Sequence, residues 1–221
     1  MSTYLLIGAG PGIGLATARR FAAQGYRVVL AARNIERLQR FVAQLQREGH
    51  TAAAERVDAS NPTAVAALVQ RIGSDLSVLH YNAGILHYNS LGELQARPLE
   101  SESVESIISD TQINLVSAMA AARAAVPLFA DRAGVSILFT GGGFGIQPTG
   151  DFLTLSVGKA GIRATALALF EPLRRRGIHV GTVTVSRLVG PDSTEALEVA
   201  NAFWELHTQS PEAWVPEIVY G

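Results

Sequence analysis

Apolar and polar positions change period repeatedly along this chain, and the two periods alternate. Residues 4–7 form a short apolar run that ends in glycines, and residues 12–24 then carry apolar and small side chains at helical spacing. Residues 26–31 (YRVVLA) are a β-branched run, followed by Asn34 as a cap for a helix of mixed charge reaching about Glu48. Residues 52–57 read as a weaker strand, and Asn61 with Pro62 marks the next helix start, since proline is favoured at the first helical position. Residues 78–81 give a fourth strand, 103–129 a long helix, 135–140 a fifth strand, 152–175 a helix closed by Gly177, and 178–185 (IHVGTVTV) a sixth strand. Ser193 caps a last helix near residues 195–207, and the tail EIVY is a candidate seventh strand. Strands alternating with helices predict a parallel sheet covered on both faces, a doubly wound three-layer α/β/α (Rossmann) fold, with residues 1–221 as one domain. Residues 86–101 are the least regular part and read as a loop near a ligand, because open α/β sheets bind at the carboxyl ends of their strands.

The first turn carries the clearest chemistry. Gly8-Ala9-Gly10-Pro11-Gly12-Ile13-Gly14 follows the first strand and opens the first helix. Glycine there permits positive φ and a close approach of backbone to a pyrophosphate, and the helix N-terminus adds free N–H groups and partial positive charge. At the end of the second strand, where a carboxylate would hydrogen-bond the ribose 2′-hydroxyl of NAD(H), the sequence has Ala31-Ala32-Arg33-Asn34. Arg33 suits a 2′-phosphate instead, which favours NADP(H) over NAD(H). Asp58, after the third strand, is placed either to accept from the adenine amine or to cap the helix that begins near Pro62.

Composition narrows the classes further. The 221 residues are 48% hydrophobic and 17% charged, with a net charge of -1 and no long block of one sign, so nothing points to nucleic acid. No cysteine is present, which removes disulfides, cysteine–zinc sites and a thiol nucleophile, and fits a cytoplasmic protein. The start, MSTYLLIGAG, lacks the pattern of a signal peptide, and the apolar stretches are interrupted before about 20 residues, so no membrane span is expected.

With these residues placed, the chain resembles the short-chain dehydrogenase/reductase family along nearly its whole length. The spacing Gly8-x-x-x-Gly12-x-Gly14 resembles that family's cofactor motif, and Asn82-Ala83-Gly84 its Asn-Ala-Gly motif, with Tyr81 where a further asparagine is usual. Asn114 resembles the family's active-site asparagine, and Lys159 the lysine of its Tyr-x-x-x-Lys motif. The resemblance implies hydride transfer between a nicotinamide and a carbonyl or carbinol carbon. A tyrosine would handle the hydroxyl proton, the lysine would assist it and hold the ribose, a serine would orient the substrate oxygen, and the asparagine would hold a relaying water. Taken with Arg33 and Asp58 as read from the strand ends, the candidate cofactor residues are Gly8, Gly12, Ile13, Gly14, Arg33, Asp58, Asn82, Ala83, Gly84, Lys159 and Val189. The resemblance implies that Val189 acts through its backbone near the carboxamide and that Lys159 and Asn114 serve catalysis.

Two positions depart from that pattern. Four residues before Lys159 stands Leu155, and the serine slot falls on Gly142. Asp151 would sit about 12 Å from Lys159 along a helix, Thr140 is a poor acid, Ser156 is turned away, and His87 and Tyr88 lie in a loop from which they could reach inward. The reading is an NADP(H)-dependent oxidoreductase with an atypical proton donor, acting on a small apolar carbonyl or alcohol. The alternative is an inactive NADP(H)-binding sensor. Tyr88, Phe144, Ile146, Phe152, Leu188 and Phe203 are the expected apolar lining, and the resemblance implies a homodimer or homotetramer.

Overall fold

The computed structural model describes residues 1–90 and 93–221. Seven strands, β1 (Thr3–Ile7), β2 (Arg27–Ala32), β3 (Ala52–Arg56), β4 (Leu76–Tyr81), β5 (Val135–Gly142), β6 (Ile178–Val185) and β7 (Glu217–Tyr220), enter one sheet. Every pairing is parallel and the order is β3-β2-β1-β4-β5-β6-β7. Strands buried on both faces read as continuous apolar runs, which is why residues 4–7 and 135–140 show no alternation.

Helices α1 (Ile13–Ala22), α2 (Ile35–Arg47) and α7 (Thr194–Thr208) cover one face, packing Phe21, Leu38, Leu45 and Phe203 onto Tyr4, Leu6, Val78 and Leu138. Helices α3 (Pro62–Ile72), α5 (Ser117–Ala125) and α6 (Leu153–Arg174) cover the other, where the buried alanines of α5 let it lie close against α3. The strand order reverses between β1 and β4, so the glycine turn after β1 opens at the crevice where such sheets bind ligands. Asn34, Asn61 and Ser193 cap their helices as expected, each side chain accepting from a backbone N–H three residues on.

Two expectations are corrected here. The helix over 103–129 is broken into α4 (Val104–Thr111), a π-helical turn Gln112–Val116, α5, and a 3₁₀ turn Val126–Phe129 that contains Pro127. Two segments, Val104–Phe129 and Leu153–Arg174, are long and apolar enough to cross a membrane by length and composition alone, and both are built into the layer over the sheet. Phe203 lines no ligand cleft, because α7 turns it inward onto the sheet, where it is fully buried beside His80 with ring centroids 4.2 Å apart.

The expected loop over 86–101 has some order of its own, while Leu91 and Gly92 within it lie outside the described residues. Tyr88 bridges Leu94 in antiparallel fashion, and Arg97 bridges Phe152 at the start of α6.

Candidate active site

The turn after β1 needs glycine at two positions for different reasons. Gly8 has φ +91°, and a Cβ there would lie 2.3 Å from the Ala83 amide nitrogen. Gly12 packs under the segment after β6, its missing Cβ 3.3 Å from the Val189 carbonyl oxygen. The amides of Gly8 and Ala9 both donate to the Ala31 carbonyl at 2.8 and 3.1 Å, which fixes the turn's direction. Beyond it α1 begins with no side-chain cap and no acidic residue in its first turn, leaving its N-terminal dipole uncompensated.

A cleft of about 1020 Å³ opens at this point. Residues 10–14, Asn82 and Gly84 border one side, Thr140, Phe144, Leu155 and Lys159 the other, and Ser186, Leu188 and Val189 close the end. Gly10 faces open space. Seven of the residues singled out in the sequence (Gly12, Ile13, Gly14, Asn82, Gly84, Lys159 and Val189) therefore meet in one place. Gly8 and Ala83 touch each other just beneath it.

Lys159 reaches across from α6, and its Nζ donates to the Thr140 carbonyl at 2.8 Å. Burial pulls its pKa from 10.5 down to about 8, because a low-dielectric wall disfavours the ammonium. Its stem fills the space a side chain at residue 142 would use, since a Cβ on Gly142 would lie 3.2 Å from the lysine Cγ and Cδ. Leu155, one helical turn earlier, is buried and presents a methyl-bearing surface to the same cleft.

Asn114 sits in the π-helical turn. Its Oδ1 accepts from the Ile85 amide at 2.8 Å, while its buried Nδ2 has no hydrogen-bond partner among the described residues. Gly158 is required beneath it, because a Cβ there would come within 2.4 Å of the Asn114 Cβ. The Asn114 Oδ1 and the Lys159 Nζ are each 3.7 Å from where a Gly84 side chain would begin, so the two groups flank the same point of the Asn-Ala-Gly segment. The Tyr81 hydroxyl, on the opposite face of β4 from His80, donates to the Ile113 carbonyl at 2.6 Å and so braces the π-helical turn.

Arg33 and Asp58 stand apart from the cleft lining, exposed at the carboxyl ends of β2 and β3. Asp58 accepts from the backbone amide and hydroxyl of Ser60, both at 2.9 Å. Those bonds, with Arg33 and Arg56 nearby, hold its carboxyl below the usual range. The helix cap is Asn61, not Asp58.

The alternative proton donors fare unevenly. His87 does not reach inward: its Nε2 lies 2.9 Å from Asp110 Oδ2 and 2.7 Å from the Arg97 guanidinium, in a small pocket separated from the cleft by Leu86, Leu94 and Leu155. His87, Glu102 and Asp110 are close enough together to hold a metal ion, but Arg97 fills the space, pairing with Glu102 at 2.6 Å. Asp151 is exposed, and Ser156 is buried with its hydroxyl on the Thr149 backbone. The Thr140 hydroxyl is committed to Asn82 Oδ1 at 2.8 Å. Tyr88 does line the cleft, half-exposed, as do Phe144, Ile146 and Leu188, whereas Phe152 faces the smaller pocket.

Sequence reasoning missed His80 and Tyr4, which are joined through buried hydrogen bonds to Thr140. Strand register alone brings them together, and register is not written in any local motif.

Residues 2–197 match the sequence profile of the short chain dehydrogenase family. A 2,5-dichloro-2,5-cyclohexadiene-1,4-diol dehydrogenase from Sphingobium indicum is 30% identical over 183 residues, which cover 81% of this chain and 70% of that protein. A short-chain dehydrogenase from Rhodopseudomonas palustris superposes with a TM-score of 0.87 at 26% identity, covering 100% of this chain and 98% of that one. A metagenomic short-chain oxidoreductase, solved in complex with NADP, superposes with a TM-score of 0.87 at 24% identity, covering 99% and 96%. With the fold, the glycine turn and the Asn-Ala-Gly, Asn114 and Lys159 positions all in register with one cleft, the chain belongs to the short-chain dehydrogenase family of oxidoreductases.

Proposed function

We propose that the protein transfers hydride between NADP(H) and a small, mainly apolar carbonyl or alcohol, with Lys159 in the place of a tyrosine as the proton-transfer group. The observation that carries this reading is the Lys159 ammonium in the cleft wall, its pKa drawn down to about 8, beside a Leu155 that has no proton to give. A relative supports the substrate class, since the Sphingobium indicum protein is named for an alicyclic diol, and Leu155, Phe144, Ile146 and Leu188 give this cleft an apolar surface.

The residues present fit a dinucleotide. The glycine turn offers bare backbone and the uncapped start of α1 to a diphosphate, Gly10 leaves room, and Asn82, Gly84 and Val189 border the path beyond. Arg33 follows Ala32, which pairs with Arg56 on the neighbouring strand; Arg33 would meet a 2′-phosphate, and no carboxylate at the end of β2 competes for a 2′-hydroxyl. A bound nicotinamide supplies or accepts the hydride. The chain supplies the rest: in reduction Lys159 Nζ gives a proton to the carbonyl oxygen as the carbon receives hydride, and in oxidation the neutral amine takes the hydroxyl proton. Asn114 holds Ile85 and the far side of the same point. Arg33, Asn82 and Asn114 thus position, while Lys159 reacts.

The tyrosine and serine of the family pattern do not simply drop back in. Leu155→Tyr would put a phenol one turn before Lys159, but Gly142→Ser would press on the lysine stem at 3.2 Å. The outer faces of α4 to α6 expose Ile108, Met119, Val157 and Leu167, and we assign these to a homodimer or homotetramer contact.

The test is the pH dependence of both directions with a series of alicyclic ketones and alcohols. Reduction needs the ammonium, so its rate is expected to fall about tenfold per pH unit above about 8; oxidation needs the free amine, so it is expected to rise up to about 8 and then level off. Turnover in Lys159→Met with the same profile as wild type would remove Lys159 from the chemistry.

A further inference from the structure

His80 is fully buried in the middle of the sheet, and nothing in the proposed chemistry uses it. Its position follows from register. Tyr4 pairs with Val78, His80 lies two residues beyond Val78 and pairs with Leu138, and Thr140 lies two residues beyond Leu138. All three side chains thus fall on one face of the sheet, along a diagonal that climbs toward the cleft.

The diagonal is hydrogen-bonded throughout, and its protons have a single consistent assignment. It begins at the Gly8 carbonyl, which can only accept. Asn82 must therefore turn its Nδ2 toward that oxygen, at 2.8 Å. Asn82 Oδ1 then faces Thr140 and accepts from its hydroxyl at 2.8 Å. With its one proton spent, Thr140 can only accept from His80 Nε2, at 2.9 Å. His80 Nδ1 is left bare and accepts from the Tyr4 hydroxyl at 2.6 Å. Burial lowers the His80 pKa to about 3, which keeps the ring in this neutral form. The array is not a path for protons to the cleft: it stops at an amide and a carbonyl, and at the other end Tyr4 is enclosed and stacked on Phe21 with centroids 4.3 Å apart.

Its upper end touches both halves of the site. Through Asn82 it holds the Gly8 peptide, at the left-handed start of the glycine turn, and the Thr140 carbonyl holds Lys159 Nζ. A threonine with no fixed donor beside it can rotate among staggered χ1 states and release Asn82.

We propose that His80 is a positioning residue for the NADP(H) site: by donating to Thr140 it fixes Thr140 and Asn82 in the arrangement that aligns the Gly8 turn with Lys159. This rests on the cofactor reading above, and the test separates the two. NADPH affinity by calorimetry and melting temperature are measured for His80→Val, His80→Gln, His80→Asn and Thr140→Val. Thr140→Val keeps the shape of the buried threonine if His80→Val does not fold. His80→Val and Thr140→Val are each expected to weaken NADPH binding about tenfold, and together no more than about twofold beyond either alone, because one array carries both effects. His80→Gln, whose amide can still donate toward Thr140, is expected to keep most of the affinity. His80→Asn, which offers an acceptor only on the Tyr4 side, is expected to melt near wild type and bind weakly. Variants that melt lower yet bind NADPH as wild type does would overturn the proposal. A wild type that binds no NADPH would overturn the cofactor reading first, and this one with it.

Discussion

Lys159→Met is expected to lower turnover in both directions by about a thousandfold while making the protein more stable, a combination that separates a reacting group from a packing one. Methionine keeps the length of the stem that lies against Gly142, so the cleft wall stays filled. What is lost is the proton and the bond to the Thr140 carbonyl. The stability gain follows from linkage. The lysine pKa is about 8 in the folded chain against 10.5 for an ordinary lysine. Between those values the unfolded chain binds the proton and the native one does not, so wild-type stability rises with pH across that window. Below it the native state carries an ammonium that it holds less readily than the unfolded chain does. Removing that ammonium is expected to stabilise by on the order of 1 kcal/mol near neutral pH, after the lost hydrogen bond is subtracted. Melting curves on both sides of pH 8 check this: wild type is expected to gain stability as pH rises above about 8, and the variant is expected not to. A variant that is inactive and also less stable near neutral pH would mean that the lysine serves the fold.

Gly8→Ala is the second large effect, and it acts through the backbone. The residue has φ +91°, where an L side chain is strained by about 1–3 kcal/mol. Its Cβ would also lie 2.3 Å from the Ala83 nitrogen, a backbone atom that cannot swing aside. Together these are expected to cost about 4 kcal/mol of stability and to separate β1 from the Asn-Ala-Gly segment. Gly10→Ala is the matched control, because no atom of the described residues lies within 4 Å of its missing Cβ. It is expected to unfold at the wild-type denaturant concentration and to differ only in cofactor affinity. Urea unfolding of the two variants makes the comparison. A Gly8→Ala protein within about 1 kcal/mol of wild type would mean that the turn relaxes freely and is not held by Ala83.

The parts of the site that could be read in the sequence are those set by local geometry. Gly8, Gly12 and Gly14 lie within seven residues, and the strand before them and helix after them leave the turn little choice. Leu155 and Lys159 share a helix face because four residues make about one turn, so their juxtaposition needed no tertiary information. The sheet was legible for the same reason: each strand is an apolar run of its own, and even the short EIVY tail pairs as β7.

What stayed hidden depends on distant partners. His80 looks like any polar residue in SVLHYNAG until register sets it between Tyr4 and Thr140. His87 was free to face either way from the sequence, and Arg97, ten residues on, decided it by drawing the ring toward Asp110. The π-helical turn at Gln112–Val116 leaves no mark in the apolar pattern, since the bulge is braced by Tyr81 from another strand. Phe203 falls in the segment after Val185 that the sequence places at the cleft, but the direction of α7 puts it on the opposite face of the sheet from α6.

The central claim is that this cleft is an NADP(H) site, and calorimetric titration tests it most directly. NADPH is expected to bind more tightly than NADH. Arg33→Ala is expected to remove that difference, and Gly12→Asp, whose carboxylate would crowd the Val189 carbonyl 3.3 Å from the glycine, to remove binding altogether. Heat released by NADPH in wild type and lost in Gly12→Asp is the expected result. No binding of either nucleotide by the wild-type protein would contradict it, and would leave the glycine turn as a feature of the fold alone.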